Sequence, residues 1–372
     1  MIKKVKLFYQ PDTVSPPGDT LLDLLEERGM TQAELAERTG RPHKTINEII
    51  TGKAMIMPET AIQLERVLGA PAEFWNQREA HYRAFLARQK ELDNLSKSKD
   101  WLKQFPLKEM IKRNWVQDCK SHVADQMIAV LNFFGVATPE QWENGWTKRR
   151  LAFRKAMNLK SDIGAISVWL RQGEIEGEKI QCAPFDKKML AISFHEIRML
   201  TRENNPKIFI PKLKDILAKS GVATVFVKPF KNVPVYGASC WLNSSKALIQ
   251  LSLRGKTTDK LWFTIFHELG HILKHSKKEL FIDIDNKLTR KSPEETEADE
   301  FASETLIPSE KLEGWIKKCP SFNAKQLIDF ANEIGISPGI VVGRLQHMQH
   351  LQHSKLNNLK TKCDWDYLLA TQ

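Results

Sequence analysis

Apolar residues recur at helical spacing through most of the first 90 positions. From Leu21 to about Ala87 they fall three or four positions apart, and Gly29, Gly40 and Gly52 interrupt the pattern. Such a period indicates amphipathic helices, and glycine is a common turn residue between them. The pattern therefore predicts a bundle of short helices in this part of the chain.

The polarity pattern changes twice further along the chain. A polar stretch, RQKELDNLSKSKD at 88–100, predicts a linker or an exposed helix, and helical spacing resumes from Trp101 to about Asn205. After Pro206, runs rich in β-branched and aromatic residues predict a small antiparallel sheet: VATVFVKPF, VYGASCWL and ALIQLSL. Helical periodicity then returns around HELGH, in an acidic segment from about Ser292 to Leu306, and on both sides of a Gly/Pro turn.

These changes divide the chain, whose 372 residues are too many for one ordinary core. The predicted fold class is mainly α with a small antiparallel sheet, in several domains. We expect a helical domain over 1–90, a helical middle region over 91–205, an α+β domain over 206–350, and a loose polar tail over 351–372.

Composition and charge limit the choice of function. A hydrophobic content of 42% with 27% charged residues is ordinary for a globular protein, and the sequence shows neither a signal peptide nor a long apolar run. We therefore expect a cytoplasmic protein that does not enter a membrane. The five cysteines are far apart and never form a C-x-x-C pair, which favours free thiols.

The net charge of +11 suggests nucleic acid as a partner, but it does not identify a binding site. The basic and acidic residues of the first 90 positions nearly balance, and most of the excess positive charge lies further along the chain. A solvated basic surface explains that excess equally well.

The segment MTQAELAERTGRPHKTINEIITGK carries the features of a helix-turn-helix. Thr31 followed by Glu34 is a capping box, which begins a helix. Gly40 suits the left-handed end of that helix, and Pro42 suits the first turn of the next.

On the second of these helices, the isoleucines at 46, 49 and 50 fall on one face. The remaining residues are candidates for contact with the major groove: His43, Lys44, Thr45, Asn47 and Glu48. A plain helical hairpin with a polar outer face is the alternative.

Residues from Pro17 to about Leu86 resemble the DNA-binding antitoxins of the HigA type, within the Cro/repressor-like helix-turn-helix class. The resemblance rests on PGDTLLDLL, ITGKAMIMPETAIQLERVLG and AEFWNQRE. It implies a five-helix repressor-like domain that binds operator double-stranded DNA as a homodimer, with Gln32 near a phosphate and Lys44 and Asn47 among the base-contacting positions. Pro42 replaces the usual Ser or Thr cap and Glu48 would be repelled by phosphate, so a modest affinity is expected.

A second motif, FTIFHELGHILKH, predicts a zinc site. His267 and His271 are four residues apart on a helix and can present their rings to one metal ion, while Glu268 can reach a metal-bound water. A catalytic zinc also needs a third protein ligand. We interpret His275 as a helix-end residue rather than that ligand.

The acidic segment SPEETEADEFASETLIP is the better source of the third ligand. Glu295 and Asp299 are four residues apart and share a helical face, so one can bind zinc while the other steadies a histidine ring. The alternative is a surface helix whose acidic residues favour its N-terminal dipole.

Residues from about Val222 to Met348 resemble the ImmA/IrrE-type metallopeptidases through FTIFHELGHILKH, EETEADEFASETLIP and FANEIGISPGIVVGRLQH. The resemblance implies a gluzincin-like α+β fold, a zinc ion (Zn2+) on His267, His271 and Glu295, and Glu268 as the general base. Asp299 is then the residue that steadies a ligand ring. Glu297 occupies a position where that family tolerates glutamine, which makes it the poorer ligand.

Together the motifs predict a DNA-binding transcriptional regulator with a zinc-dependent endopeptidase domain. Its substrate would be a repressor, a toxin or another partner protein in a stress or toxin–antitoxin circuit. The alternative is a non-enzymatic antitoxin or repressor that autoregulates its operon, neutralises a toxin and contains a structural zinc. In a third version the N-terminal half binds protein instead of DNA.

Two finer hypotheses concern the peptidase site. ALIQLSL would be an edge strand beside the zinc that pairs with an extended substrate, so that Leu251→Pro should abolish cleavage. The candidate donors to the oxyanion are Tyr236, Arg254 and His275.

Overall fold

The fold is described from a computed structural model, over residues 13–119, 122–145, 163–231, 233–284, 292–319 and 321–365. The described residues fall into two compact units. Those up to residue 99, with 122–125, form the first unit, and the others form the second.

Five helices make up the first unit, as the sequence predicts: α1 Pro17–Glu27, α2 Gln32–Thr39, α3 His43–Ile50, α4 Pro58–Leu68 and α5 Ala72–Lys97. Their apolar faces meet in one core that includes Leu35, Ile46, Leu64 and the fully buried Trp75. Burial of these apolar faces is what stabilises such short helices, since isolated helices of this length are marginal in water.

The turn between α2 and α3 is built much as predicted. The Thr31 hydroxyl accepts a hydrogen bond from the Glu34 amide at 3.2 Å, and Gly40 ends α2 with a φ of 68°. The Glu34 carboxylate does not complete a capping box but accepts a hydrogen bond from Arg38 one turn later. Pro42 is the N-cap residue of α3, which therefore begins without a side-chain cap.

The second unit combines helices with one sheet. Its helices in order are α6 Leu107–Lys112, α7 Val123–Phe134, α8 Ile163–Lys179, α9 Lys187–Leu200, α10 Pro206–Lys219, α11 Thr258–Lys274, α12 Pro293–Leu306, α13 Ser309–Lys318, α14 Ala324–Ile334 and α15 Pro338–His347. The first three residues of α7 belong to the first unit. The strands are β1 Val222–Phe226, β2 Val235–Asn243, β3 Lys246–Leu251 and β4 Phe281–Ile284. The mainly α fold class is confirmed.

The sheet has the strand order β1-β3-β2-β4 and is mixed. β3 pairs antiparallel with β2 but parallel with β1, and β2 pairs antiparallel with β4. The expectation of a wholly antiparallel sheet is corrected in this respect. The edge-strand hypothesis for ALIQLSL is wrong, because β3 lies in that segment and has a partner on each side. Among the described strands, β4, which the sequence pattern did not reveal, is the edge strand beside β2.

Helices cover both faces of the sheet. Alternate β3 residues such as Ile249 share the main core with Trp262 and Ile265 of α11. The residue that follows Ile249, Gln250, points to the opposite face, where its side-chain amide donates to the Trp169 carbonyl of α8 at 2.7 Å. The HELGH segment of α11 therefore lies on a helix that is packed against one face of the sheet.

The described part of the predicted middle region does not form a region of its own. Helix α8 packs on the sheet, as the Trp169 contacts show, and residues 163–205 belong to the second unit. Residues 146–162, for which helix was also predicted, lie outside the described part of the chain.

The residues after 350 are held more firmly than the polar sequence suggested. Lys360 forms a largely buried ion pair with Asp259, with 3.0 Å between Nζ and Oδ2. The Thr258 amide donates to the Thr361 carbonyl at 2.9 Å, and Cys363 is buried. The expectation of a loose tail is therefore corrected as far as residue 363, while residues 366–372 lie outside the described chain.

Among the described helices, none has the length and apolar character that a membrane span requires.

Candidate functional site

The HELGH segment lies in the most deeply buried part of α11. His267 and His271 are each 1% exposed and Glu268 is completely buried. α12 crosses α11 closely at Gly270, where a Cβ atom would lie 3.3 Å from the Ala298 Cα. Because the two helices approach so closely here, a side chain near the start of α12 can reach the histidines.

Three side chains converge at this crossing. The Nε2 atoms of His267 and His271 are 3.1 Å apart, and the Glu295 carboxylate lies 3.2 Å from the first and 3.5 Å from the second. Ligand atoms about 2.0–2.1 Å from one tetrahedral zinc ion are separated from each other by about 3.3 Å. The three side chains therefore converge closely enough to hold a single metal ion of that size.

The hydrogen bonds around the rings support this arrangement. His267 Nδ1 lies 3.0 Å from Asp299 Oδ1, so the carboxylate favours a proton on Nδ1 and leaves the Nε2 lone pair directed at the cluster. Burial opposes a charge on His267, yet the hydrogen bonds to Asp299 and Glu295 outweigh it and raise its pKa. The same carboxylates would stabilise a cation at Nε2.

The other two members of the cluster complete the donor set. Burial lowers the pKa of His271, which favours the neutral ring that a metal ion requires. Burial opposes ionisation of Glu295, but the hydrogen bonds from His267 and His271 lower its pKa. Two neutral imidazoles and one carboxylate are the ligands of many catalytic zinc sites.

Glu268 lies beside the cluster without pairing with it. Neither carboxylate oxygen meets hydrogen-bond geometry with a described residue, and burial, opposed by the nearby His267 ring and Ser239 hydroxyl, raises the pKa of Glu268 to about 8. A Cβ atom at Gly237 of β2 would lie 2.5 Å from Glu268 Oε1, so only glycine leaves room for the carboxylate. A buried, unpaired carboxylate is costly, and such groups are concentrated at functional sites.

Two acidic residues that the sequence analysis named lie at the cluster, but the sequence analysis did not predict what surrounds them. Glu295 and Asp299 contact the histidines as expected from their shared face, whereas Glu297 Oε2 lies 3.4 Å from His275 Nε2. Gly237 gave no sequence signal, because its contact depends on strand position. The Phe281 ring of β4, which stacks on the His271 ring at 4.1 Å, was missed with its strand.

The three residues proposed as donors to the oxyanion have different surroundings. His275 directs its Nδ1 atom at His271, and its Nε2 lies 3.4 Å from Glu297 Oε2 without forming a hydrogen bond to a described residue. The Arg254 guanidinium lies over the Tyr236 ring at 5.8 Å.

In the first unit, α3 separates its core residues from its polar residues. Ile46 and Ile49 are buried. Of the predicted groove-facing residues, His43, Lys44 and Asn47 are exposed, whereas Thr45 and Glu48 are half-buried, as is Gln32 at the start of α2. Lys44 Nζ lies 3.8 Å from Glu48 Oε1, so the lysine partly neutralises the carboxylate that would face phosphate.

Comparisons with known proteins agree with this two-unit organisation. Residues 21–75 match the family model described as helix-turn-helix, and residues 222–346 match the model described as IrrE N-terminal-like domain. The chain is 34% identical over 59 residues to an uncharacterized HTH-type transcriptional regulator, YddM, of Escherichia coli K12. That match covers 16% of this chain and 63% of the relative, which is less than two thirds of its length.

Two solved structures are similar to the N-terminal part. An addiction module antidote protein of a HigA family from Coxiella burnetii is 26% identical; the match covers 23% of this chain and 92% of that chain, with a TM-score of 0.21. The antitoxin GraA is 25% identical, with 23% and 91% covered and a TM-score of 0.22. The chain thus carries a helix-turn-helix regulator domain and an IrrE-like domain of the peptidase family.

Proposed function

We propose that the protein is a DNA-binding transcriptional regulator whose second unit is a zinc-dependent endopeptidase. The observation that carries the proposal is the cluster of His267, His271 and Glu295 with the unpaired Glu268 beside it. Three converging ligands alone would suit a structural ion. A buried carboxyl group beside them that forms no hydrogen bond to a described residue is typical of a site where a reaction uses it.

Each side chain then has one task in peptide hydrolysis. A zinc ion held by His267, His271 and Glu295 would polarise the substrate carbonyl and make a water molecule more acidic. Asp299 keeps the His267 ring in the orientation that directs Nε2 at the ion. His267, Glu268 and His271 are buried, so bulk water is kept from these three side chains.

Glu268 moves the proton. Its carboxylate takes a proton from the attacking water as the new carbon–oxygen bond forms, and it passes that proton to the departing amine as the peptide bond breaks. Burial raises the pKa of Glu268 in the metal-free chain, which makes its carboxylate a stronger proton acceptor than an exposed one.

The substrate is proposed to be an extended segment of another protein. β4 is the edge strand beside β2, and it borders the cluster, since Phe281 stacks on His271 and Asp283 is paired with Gly237. An extended peptide that pairs with the outer edge of β4 would therefore run past the cluster. A repressor, a toxin or another partner protein with a flexible segment would meet this requirement.

The first unit is proposed to bind operator DNA as a homodimer. Helix α3 supplies the exposed His43, Lys44 and Asn47 and the half-buried Thr45 for the major groove, and Gln32 at the start of α2 is suited to a phosphate. Dimerisation would place two copies of α3 in successive major grooves. Binding that depends on phosphate contacts should weaken steeply as salt is raised.

The deciding experiment measures metal and cleavage on the full chain. Protein purified without chelators should contain about one zinc per chain. It should cut a helix-turn-helix repressor or a toxin encoded next to it, and chelation should stop the cutting until zinc is returned. Absence of bound zinc would contradict the proposal, as would cleavage that a chelator does not affect.

The non-enzymatic alternative, an antitoxin or repressor with a structural zinc, makes a different prediction. Zinc would then be bound and would raise the thermal stability, but none of the neighbouring proteins would be cleaved. The buried Glu268 argues against this alternative, since a structural site has no use for an unpaired carboxylate.

A further inference from the structure

His275 lies one helical turn after His271, at the end of α11. The Nδ1 atoms of the two rings are 3.0 Å apart, which is hydrogen-bonding distance, and the His275 side chain is only 8% exposed. The other ring nitrogen of His271, Nε2, points into the metal cluster, 3.1 Å from His267 Nε2. The ring of His271 is therefore held between the cluster on one side and His275 on the other.

We propose that His275 is a positioning residue that sets the tautomer of the metal ligand His271. His271 donates its Nδ1–H to the lone pair on Nδ1 of His275, and this leaves the Nε2 lone pair of His271 for the metal. The proposal rests on the zinc site of the proposed function. It adds a residue outside the HELGH motif to the machinery that holds the ion.

Helix α12 supports this arrangement from behind. Glu297 Oε2 lies 3.4 Å from His275 Nε2, too far or too poorly aligned for a hydrogen bond, and the negative charge of this half-exposed carboxylate favours a proton on Nε2. With Nε2 protonated, Nδ1 of the neutral His275 ring is left as an acceptor. A line of contacts thus runs from the Glu297 carboxylate through His275 to His271.

Carboxylates of α12 then hold both histidine ligands, one directly and the other through a second histidine. His267 donates directly to the Asp299 carboxylate, whereas His271 reaches the Glu297 carboxylate through an intervening imidazole. α12 supplies all three carboxylates, because Glu295 joins the cluster itself. The docking of one helix therefore fixes the metal ligand and both supports together.

The surroundings of His271 leave little access for a water molecule that could replace His275 as the acceptor of its Nδ1–H. The Phe281 ring lies against the His271 ring at 4.1 Å and 14°, and its centroid is 5.1 Å from that of His275. The His271 side chain is itself completely buried. A donor left without a partner at such a site carries the desolvation cost of an unmade hydrogen bond.

The test compares two substitutions by zinc affinity rather than by activity. His275→Phe keeps an aromatic ring beside Phe281 but removes the acceptor, and His275→Asn places an amide oxygen near the position of Nδ1. Competition with a chromogenic chelator should show zinc binding weakened about 10–100-fold in His275→Phe. The Asn variant should stay close to the wild-type value, and Asp299→Asn serves as the benchmark for loss of a ring support.

Circular dichroism of the metal-free variants checks that they fold. Wild-type affinity in His275→Phe would overturn the inference and leave the proposed function intact. Equal losses in the Phe and Asn variants would also overturn it, because the shape of the ring would then matter and not its acceptor. A wild-type chain that binds no zinc would overturn the proposed function as well.

A measurement on the wild-type protein covers the case in which a variant does not fold. Long-range ¹H–¹⁵N correlation spectra of the zinc-loaded chain report which ring nitrogen of each histidine carries a proton. We expect a proton on His271 Nδ1 and none on His275 Nδ1. A proton on His275 Nδ1 would contradict the inference, because that atom could not then accept.

Discussion

The two helices that carry the candidate functional residues, α3 and α11, use their surfaces in opposite ways. On α3 the isoleucines face the core, and the residues proposed to meet DNA, such as Lys44 and Asn47, face solvent. On α11 the proposed functional residues are themselves buried, with His267, Glu268 and His271 at 1%, 0% and 1% exposure.

The difference affects how each site can be tested. Residues on the exposed face of α3 can be changed without disturbing the bundle, since surface substitutions usually alter stability by less than about 0.5 kcal/mol. A change on α11 alters function and packing together. Only substitutions that preserve shape can separate the two effects there.

Glu268→Gln should produce the largest effect on function. The amide keeps the shape of the side chain but cannot take a proton from water, so cleavage of a protein substrate should fall about 10²–10⁴-fold. Zinc content should be unchanged, because Glu268 is not among the three converging ligands. The melting temperature should hold or rise, because a buried carboxyl group is replaced by a neutral amide.

Activity within a few-fold of wild type in Glu268→Gln would remove the proposed role of this residue. Loss of zinc from the variant would show instead that the carboxylate binds the ion.

Gly237→Ala tests whether the position of Glu268 depends on its neighbour in the sheet. The added methyl group would lie 2.5 Å from Glu268 Oε1 and 2.8 Å from the Thr264 methyl group, so one of these side chains must move. We expect activity to fall on the order of 10²-fold, since small displacements of catalytic groups have effects of that size. Calorimetry should show a loss of about 1–3 kcal/mol in stability from overpacking.

The matched control is Gly314→Ala on the exposed part of α13, where no other atom lies within 4 Å of the added methyl group. That change should leave activity intact and stabilise the helix by about 0.5–1 kcal/mol. An active Gly237→Ala variant would mean that Glu268 tolerates displacement.

The contrast between the helices also explains what the sequence could predict. Features set by local chemistry were predicted correctly. The cap at Thr31 and the left-handed Gly40 follow from residue type, and the pairing of His267 with His271 follows from the helical period. Glu295 required more, namely the resemblance to a known family, because its partners lie on another helix.

Features set by distant contacts could not be predicted. β4 has only four residues, too few for an alternating pattern to stand out, and its position beside β2 decides where the sheet ends. The sequence of neither β1 nor β3 indicates that the two strands pair in parallel. Lys360 and Asp259 are about a hundred residues apart, so a polar C-terminal sequence concealed a buried ion pair.

Asn47→Ala tests the exposed side of the comparison. If Asn47 contacts a base, its loss should weaken operator binding by about 1–3 kcal/mol, or roughly 5- to 150-fold, with little change for unrelated DNA. The melting temperature should not change, because the side chain is exposed on α3. Gel-shift titrations at fixed salt measure the effect; an equal loss on specific and unrelated DNA would place Asn47 at the backbone instead.

Glu48→Gln applies to α3 the same chemical change that should abolish catalysis on α11, and its effect should be the smallest. Glu48 lies 3.8 Å from Lys44 on a side chain that is 40% exposed, so solvent screens the pair and its loss should alter stability by about 0.3–0.5 kcal/mol at most. Because the carboxylate repels phosphate and holds the lysine back, its removal should strengthen DNA binding about two- to fivefold and steepen the salt dependence. Binding that weakens in Glu48→Gln would show that the carboxylate contacts a base. A half-buried residue of α3 would then take part in function, as the buried residues of α11 are proposed to do.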